Sequence, residues 1–356
     1  MLNRSDLLLL SLGALAVGVA ALTRFAVGGS VLAFVCSGLA VTLLASLVGR
    51  CVEQLGDRFG PGATGVLQSA LGNLPELFIS LFALKAGLLE VVQAALIGSI
   101  LANLLLVLGL CFVVGGLKHG KQPLGSERAR SIIVMMVLSV AALVLPSAAF
   151  YVHAPASTHE TQLSMIVSII LLVLFALSLP ASLKRGEASA TPLTPKVIEQ
   201  EAPRWPLALA LVLLAGASVL AAFVSDWFIH ALEPAMHTLH ISDAFAGLVI
   251  VAIAGNAVEN VVGIQLAAKN QSEYAFAVVI NSPLQIALVL APLLVILSQL
   301  FGFTPLTLVF SPMLVVSVAI AVGLSAVITF DGESDWLEGA ALIAVYGIIA
   351  TAFWWG

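Results

Sequence analysis

The chain has 356 residues, of which 61% are apolar and only 9% are charged. A soluble domain carries about 25% charged residues, so this composition excludes an ordinary soluble protein. The net charge of −5, with no basic run longer than two residues, gives no indication of a nucleic-acid partner. The three cysteines show no CxxC spacing and predict neither a disulfide framework nor a cysteine metal site.

Long apolar stretches recur along the chain, and several reach the length needed to cross ~30 Å of hydrocarbon. Backbone groups find no water in a bilayer core, so these stretches must be helices. The sequence therefore predicts an all-α polytopic membrane protein with about eleven transmembrane helices. In chain order the predicted spans are 7–22, 29–50, 62–86, 90–115, 131–150, 161–184, 205–229, 243–268, 273–299, 306–329 and 335–355.

Lysine and arginine predict the orientation of these spans. Of the 14 such residues, all but Arg24 and Lys85 fall on the side of the N-terminus when successive loops alternate between two sides. The positive-inside rule makes that side cytoplasmic. We therefore expect a cytoplasmic N-terminus and an outside C-terminus, in the inner (plasma) membrane of a bacterium.

An internal repeat joins two distant parts of the chain. Residues 72–109 align without a gap with residues 255–292 at an offset of 183. The matching positions include the rare polar residues: Gly72/Gly255, Asn73/Asn256, Glu76/Glu259, Glu90/Glu273 and Ser99/Ser282. The copies are five spans apart, an odd number, so they cross the membrane in opposite directions, as in many secondary transporters.

This repeat sets the predicted organisation of the chain. An N-terminal transmembrane helix (1–28) precedes a first five-helix repeat (29–184), a cytoplasmic linker rich in Pro, Glu, Ser and Thr (185–204) and a second, inverted five-helix repeat (205–356). Substrate sites of such folds lie near the bilayer midplane.

Glu76 and Glu259 are carboxylates within apolar helices, where a charge costs several kcal/mol. Neutral packing residues are the alternative, but repeat-equivalent positions beside the same Gly-Asn pair favour function. Asn73 and Asn256 lie three residues earlier, on nearly the same helical face. Since Ca²⁺ takes 6–8 carboxylate, amide, carbonyl or water oxygens, the pattern predicts a Ca²⁺ site. The same carboxylates, when the site is empty, repel each other and favour protonation, so protons and Ca²⁺ would compete.

Other polar residues have two open interpretations. A second polar layer either adds ligands or clamps the glutamates by hydrogen bonds, or else only packs helices together. Its members are Ser99, Asn103, Asn281, Ser282 and Gln285. Glu53 and Asp226 lie near the ends of spans 2 and 7. They are either outer binding positions on the ion or proton path or charges at solvated helix ends.

The two motifs resemble those of the cation/proton exchangers, a branch of the calcium/cation antiporter superfamily. The first is Gly72–Glu76 with the following LFISLFALKAG and GSILANLLLVLG; the second is FAGLVIVAIAGNAVE, ending at Glu259, with NSPLQIALVLAP at 281–292. The resemblance implies the eleven-helix fold, Ca²⁺ extrusion against proton entry, and Glu76 and Glu259 as central ligands. It also implies that Asn73, Asn256, Ser99, Ser282 and Gln285 lie near the ion.

We therefore expect a secondary active transporter that exchanges cytoplasmic Ca²⁺ for external protons by alternating access. Ca²⁺ and protons are then substrates, the bilayer is the partner, and no cofactor is expected. One alternative is an Na⁺/Ca²⁺ exchanger, although spans 4 and 9 lack the extra deep acids of that branch. Another is a Ca²⁺ channel or a non-transporting membrane protein. An enzyme is not expected, because no nucleophile or histidine accompanies the glutamates.

Overall fold

The computed structural model describes residues 3–27, 30–59, 71–124, 126–188 and 204–355, and most of this part of the chain is helical. The α-helices, numbered α1 to α15 in chain order, are Arg4–Leu22, Ser30–Phe59, Leu74–Lys85, Leu89–Leu101, Leu108–His119, Ser126–Tyr151, Glu160–Ala188, Leu207–Leu239, Asp243–Phe245, Ala252–Gly255, Ala257–Ala268, Ser272–Gln285, Ala291–Leu300, Pro312–Ile328 and Trp336–Phe353. The π-helical segments, π1 to π4, are Thr23–Val27, Ala102–Val107, Ala246–Val251 and Ile286–Leu290. A 3₁₀-helix covers Pro155–His159, and the short strands β1 (Gln122–Pro123) and β2 (Glu333–Ser334) pair antiparallel.

Eight helical stretches in the described ranges are long and apolar enough to cross a membrane. They are Arg4–Ala26, Val31–Leu55, Leu89–His119, Ile132–Tyr151, Pro155–Ser178, Leu207–Leu239, Ser272–Leu300 and Trp336–Phe353. A ninth arises if Asp243–Gly255 and Asn260–Ala268, which are bent by 61°, count as one span. The prediction of an all-α polytopic membrane protein is confirmed, whereas the count of eleven is not.

The two remaining predicted spans differ from the sequence expectation for identifiable reasons. Residues 62–70 of the predicted third span lie outside the described residues. The predicted tenth span, 306–329, is helical only over Pro312–Ile328, because residues 304–311 form no helix. Proline suits the first position of a helix, and the residue before a proline avoids helical angles, so α14 begins at Pro312.

The chain is assembled from two compact units. Unit 1 comprises Met1–Phe82 and Val173–Leu239, and unit 2 comprises Ala83–Leu172 and His240–Gly356. Each unit thus takes residues from both halves of the chain. The predicted repeat organisation concerns sequence symmetry rather than compactness, and it stays a prediction.

In unit 1, α2 and α8 pack along each other. The Phe34 and Phe228 rings stack with centroids 5.0 Å apart. Gly38 provides room for this contact, since a Cβ there would lie 3.2 Å from the Phe228 ring. Aromatic packing and a small residue therefore set the approach of the two helices.

The beginning of α1 is joined to the end of α2 by a buried carboxylate, Asp6. Its side chain accepts hydrogen bonds from Arg50 Nε (3.1 Å), Trp205 Nε1 (3.0 Å) and the Asn3 backbone N–H (3.0 Å). Gln54 Oε1 accepts from the backbone N–H of Trp205 at 3.3 Å. We call Asp6, Arg50, Gln54 and Trp205 the Asp6 clamp. It fixes the chain before α8 to the ends of α1 and α2.

In unit 2, glycines bring helices together backbone to backbone. A Cβ at Gly98 of α4 would collide with the backbone of Leu248 in π3. Gly109 of α5 and Gly339 of α15 face each other, and a Cβ on either would lie 2.5–2.7 Å from the other's carbonyl oxygen. Small residues permit this close packing where lipid gives helices little hydrophobic reason to associate.

Three loops meet at one end of unit 2. The strand β1 pairs with β2, Gln122 Nε2 donates to Asn270 Oδ1 at 2.8 Å, and Ser272 Oγ donates to the Pro123 carbonyl at 2.6 Å. The loops after α5, α11 and α14 therefore share one end of this unit, as alternating spans require. The cytoplasmic assignment of that end stays a prediction.

Residues 304–311 form a buried segment without regular secondary structure. Leu306, Leu308 and Phe310 alternate along it and are fully buried. Their backbone N–H groups donate to the hydroxyls of Ser298 (3.0 Å), Ser164 (2.9 Å) and Ser147 (2.8 Å), respectively. Side chains of surrounding helices thus satisfy backbone groups that a helix or sheet would otherwise satisfy.

Candidate functional site

Both copies of the glutamate motif lie at the start of a helix. Residues 72 and 73 form a turn before α3 begins at Leu74. In the second copy, α10 ends at Gly255, Asn256 leaves helical geometry with φ −92° and ψ 18°, and α11 begins at Ala257. Glu76 and Glu259 are each the third residue of the new helix, where the partial positive charge of the helix N-terminus stabilises a carboxylate.

In unit 1, Glu76 and Asn73 are both buried, with 6% and 9% of their surface exposed. Pro75 is the second residue of α3, where its missing N–H costs no helical hydrogen bond. The chain therefore enters α3 through Pro75 without losing a helical hydrogen bond. The Asn73 backbone carbonyl accepts from the Leu77 N–H at 2.9 Å, which starts the new helix.

In unit 2, Asn256 is the centre of a buried hydrogen-bond cluster. Its Nδ2 donates to Ser99 Oγ at 2.9 Å and to the Ala252 carbonyl at 2.9 Å. Its Oδ1 accepts from Asn103 Nδ2 at 2.8 Å and from Ser282 Oγ at 3.0 Å. We call Ser99, Asn103, Asn256 and Ser282 the Asn256 cluster. It brings together α4, π2, the break before α11, and α12.

The hydrogen-bonding capacity of Asn256 is used within the protein, since both amide protons and both acceptor directions have partners. Asn256 therefore orients the cluster in this structure, and its predicted role as an ion ligand stays a prediction. Gln285, also predicted, is buried on α12 three residues beyond Ser282. The side chain of Glu259 lies outside the described part of the structure.

Two π-helical segments adjoin this cluster at repeat-equivalent places. The segment π2 contains Asn103, and π4 begins directly after Gln285. Their residues correspond at the offset of 183. π-helical turns loosen the regular backbone hydrogen-bond ladder and are frequent at functional sites. Apolar periodicity does not distinguish π from α turns, so the sequence did not predict them.

Comparison with known proteins identifies the family of the chain. The family model described as sodium/calcium exchanger protein matches residues 29–184 and 209–355. The chain belongs to this sodium/calcium exchanger protein family.

Members of the sodium/calcium exchanger family resemble the chain over nearly its whole length. The Ca(2+)/H(+) antiporter ChaA of Bacillus subtilis is 38% identical, covering 88% of this chain and 89% of that protein. The Ca(2+)/H(+) antiporter of Aphanothece halophytica is 35% identical, covering 90% and 89%. The solved structure of native YfkE superposes with a TM-score of 0.82 at 34% identity, covering 97% of this chain and 99% of that one.

The two residues predicted on an ion path in this exchanger-family chain both have charged or titratable neighbours in unit 1. Glu53 Oε2 lies 2.6 Å from Arg50 Nη1, and its side chain is 53% exposed. Asp226 Oδ1 lies 3.8 Å from His230 Nε2, with the side chain 35% exposed. Glu53 lies six residues before the end of α2, whereas Asp226 lies thirteen residues before the end of α8, because this helix continues to Leu239. The pathway role of both residues stays a prediction.

One amide near the cluster was not among the predicted residues, namely Asn260, which follows Asn256 by four residues on α11. This spacing is the signal that could have found it, because residues four apart share a helical face.

Among the side chains that the structure describes, no group of three or more His, Cys, Asp and Glu converges to hold a metal ion. Oxygen donors that could contact a cation are instead one glutamate per motif copy, amides and hydroxyls.

Proposed function

We propose that this chain is a secondary active transporter that exchanges cytoplasmic Ca²⁺ for external protons by alternating access. The main support is the similarity to two proteins named Ca(2+)/H(+) antiporters, at 35–38% identity over about nine-tenths of this chain. The family match also includes both copies of the glutamate motif, since it covers residues 29–184 and 209–355.

The proposed ion chemistry relies on Glu76 and Glu259. Ca²⁺ is a hard cation that prefers oxygen ligands, and two carboxylates offset its double charge. Protons neutralise the same carboxylates when Ca²⁺ leaves, so binding of one substrate opposes binding of the other. Competition at shared groups couples the two fluxes without a separate proton channel.

The neighbouring amides and hydroxyls complete this proposal. Asn73, Ser99, Ser282, Gln285 and Asn256 would supply neutral oxygens or orient those that do. Four of these belong to unit 2, where the Asn256 cluster contains no charged side chain. Neutral ligand atoms add no charge to the site, so only the glutamates would bind and release protons.

The decisive experiment uses the purified protein in sodium-free proteoliposomes with an imposed pH gradient. Ca²⁺ flux and internal pH are recorded together, with empty liposomes as the control. We expect Ca²⁺ uptake and proton release to occur together, and uphill Ca²⁺ uptake to stop when the pH gradient is collapsed.

Two outcomes would contradict the proposal. A requirement for sodium would assign the chain to Na⁺/Ca²⁺ exchange, which the family's description also covers. Downhill Ca²⁺ flux without a change in internal pH would indicate a channel. A parallel series with Mn²⁺ defines which divalent cations are substrates.

A further inference from the structure

Two amide oxygens in unit 2 are buried without a hydrogen-bond partner among the described residues. They are Asn103 Oδ1 and Asn260 Oδ1. Asn103 itself has no exposed surface. Its amide nitrogen is engaged with Ser99, Asn256 and Ser282, so the oxygen alone remains for another group. A buried acceptor that lacks a donor destabilises a protein, so such groups call for a specific explanation.

Contacts along α11 place both oxygens in the same region. Asn256, directly before the start of this helix, bonds Asn103 directly. Further along, a Cβ at Gly263 would lie 3.3 Å from Cys111 Sγ and 3.8 Å from Val107 Cγ1. The face that carries Asn256 and Gly263 therefore packs against π2, from Asn103 to Val107, and against the beginning of α5.

Asn260 lies on this face, four residues after Asn256 and three before Gly263. On this face its side chain is directed toward π2, which contains Asn103. This shared direction is the basis for a joint site of the two unpartnered oxygens.

We propose that Asn103 and Asn260 form a buried binding site for one water molecule. Both oxygens only accept hydrogen bonds, so the occupant must be a donor, and one water can donate to both oxygens. A dehydrated divalent cation is a poor occupant, because it requires 6–8 oxygen ligands and negative charge. Buried waters of this kind satisfy polar groups that the protein leaves without partners.

The site lies on one side of the Asn256 cluster. From here α5 and α11 continue together to the end of unit 2, where His119 Nε2 lies 3.2 Å from the Ala268 carbonyl. The walls along this stretch are otherwise apolar or weakly polar, including Val107, Cys111 and Val279. If the proposed exchange operates, and only then, the bound water gives protons a hydrogen-bonded step through this apolar stretch.

The thermal stability of the Asn260→Leu variant tests the site, because a water-bound oxygen and an unpaired oxygen predict different signs for the change in Tm. Leucine fills similar space but accepts no hydrogen bond. If Asn260 Oδ1 holds a water, the substitution breaks a bridge and lowers Tm by roughly 2–4 °C. If the oxygen is simply unpaired, removing it leaves Tm unchanged or raises it, and that result would overturn the proposal. Gln265→Leu is the matched control, because Gln265 is an exposed amide on the same helix.

A double-mutant cycle shows whether the two asparagines share one occupant. In an Asn103→Ser background, Asn260→Leu is expected to lower Tm by less than half of its effect in the wild type. Additive effects would mean two independent groups and would refute the shared site. Both measurements need only folded protein in detergent, so they stand apart from the transport assay that tests the proposed exchange.

Discussion

The two units of this chain place their polar groups in different ways. In unit 1, the Asp6 clamp uses a carboxylate, a guanidinium and an indole at the ends of helices. In unit 2, the Asn256 cluster uses only amides and hydroxyls, on helices and at the helix break before α11. Asp6 is buried too, with 2% of its side chain exposed, but a guanidinium and an indole N–H offset its charge, whereas the neutral groups of the cluster satisfy one another. The difference teaches that a buried carboxylate in this chain requires groups that offset its charge, and Glu76 has the same requirement.

Packing also varies from helix to helix, within each unit as well as between them. Only 22% of the apolar window of Arg4–Ala26 or of Leu207–Leu239 is buried, and 17% for Pro155–Ser178, against 78% for Leu89–His119. A Cβ at Gly216 of α8 would have no neighbour within 4 Å, whereas one at Gly98 of α4 would collide with backbone. The surroundings of α4 are therefore tightly packed, whereas α8 leaves most of its apolar window exposed.

The largest expected effect concerns a feature that both units have, a glutamate at the third position of a helix. We expect Glu76→Gln and Glu259→Gln each to reduce Ca²⁺/H⁺ exchange by roughly 100-fold or more, since removing one partner of a buried charge pair costs about 3–5 kcal/mol. Both variants should still fold, which size-exclusion profiles would report.

Glu90→Gln and Glu273→Gln are the matched controls. They are also repeat-equivalent, but both residues are exposed in the first turns of α4 and α12. Their exchange rates should stay near wild type. Normal exchange in either Glu76→Gln or Glu259→Gln would remove that glutamate from the proposed site.

A smaller effect is expected to distinguish the tight packing at Gly98 from the open surface at Gly216. Gly98→Ala forces the backbone of α4 away from Leu248, and such overpacking costs about 1–3 kcal/mol. Gly216→Ala meets no neighbour and gains helix propensity, so it should leave stability unchanged or raise it slightly. Thermal unfolding in detergent compares the pair; equal Tm values would contradict the proposed difference in packing.

The charged groups of unit 1 give one effect comparable to that of Gly98→Ala and then the smallest effect of all. Asp6→Asn puts an amide against two donors, Arg50 and Trp205, and should cost about 1.5–3 kcal/mol of stability. Glu53→Gln loses only an exposed ion pair with Arg50, which contributes about 0.2–1 kcal/mol. Unfolding midpoints of the two variants give this order directly. A marked fall in exchange for Glu53→Gln would instead place Glu53 on the ion path.

The sequence predicted what depends on composition and rare polar residues. Apolar runs marked the membrane helices, and the repeated Gly-Asn with a following glutamate marked the two copies of the candidate motif. Hydropathy measures burial rather than conformation, so it extended the tenth helix over residues 304–311. The partners that hold this segment, including Ser147 and Ser164, lie more than 140 positions away in the chain. Such contacts exist only once the chain has folded.

The sequence did not predict which residues of the cluster bond to one another. The offset of 183 aligned Ser99 with Ser282, but it did not show that Asn256 bonds both of them or that Asn103 bonds Asn256. Pairing between helices depends on their rotation and depth, which apolar periodicity defines only coarsely. The proximity of Glu76 and Glu259 remains a prediction from the repeat.

The segment 304–311 has a consequence for how α14 is held. Its alternating apolar side chains point into the core, and its N–H groups reach three serines on separate helices. Gln93 Nε2 donates to the carbonyls of Thr307 and Val309 at 3.2 and 2.9 Å. A slip of one residue would turn every apolar side chain outward and break all of these bonds together. The segment therefore has a single register, and this register fixes the position of α14 along its own axis.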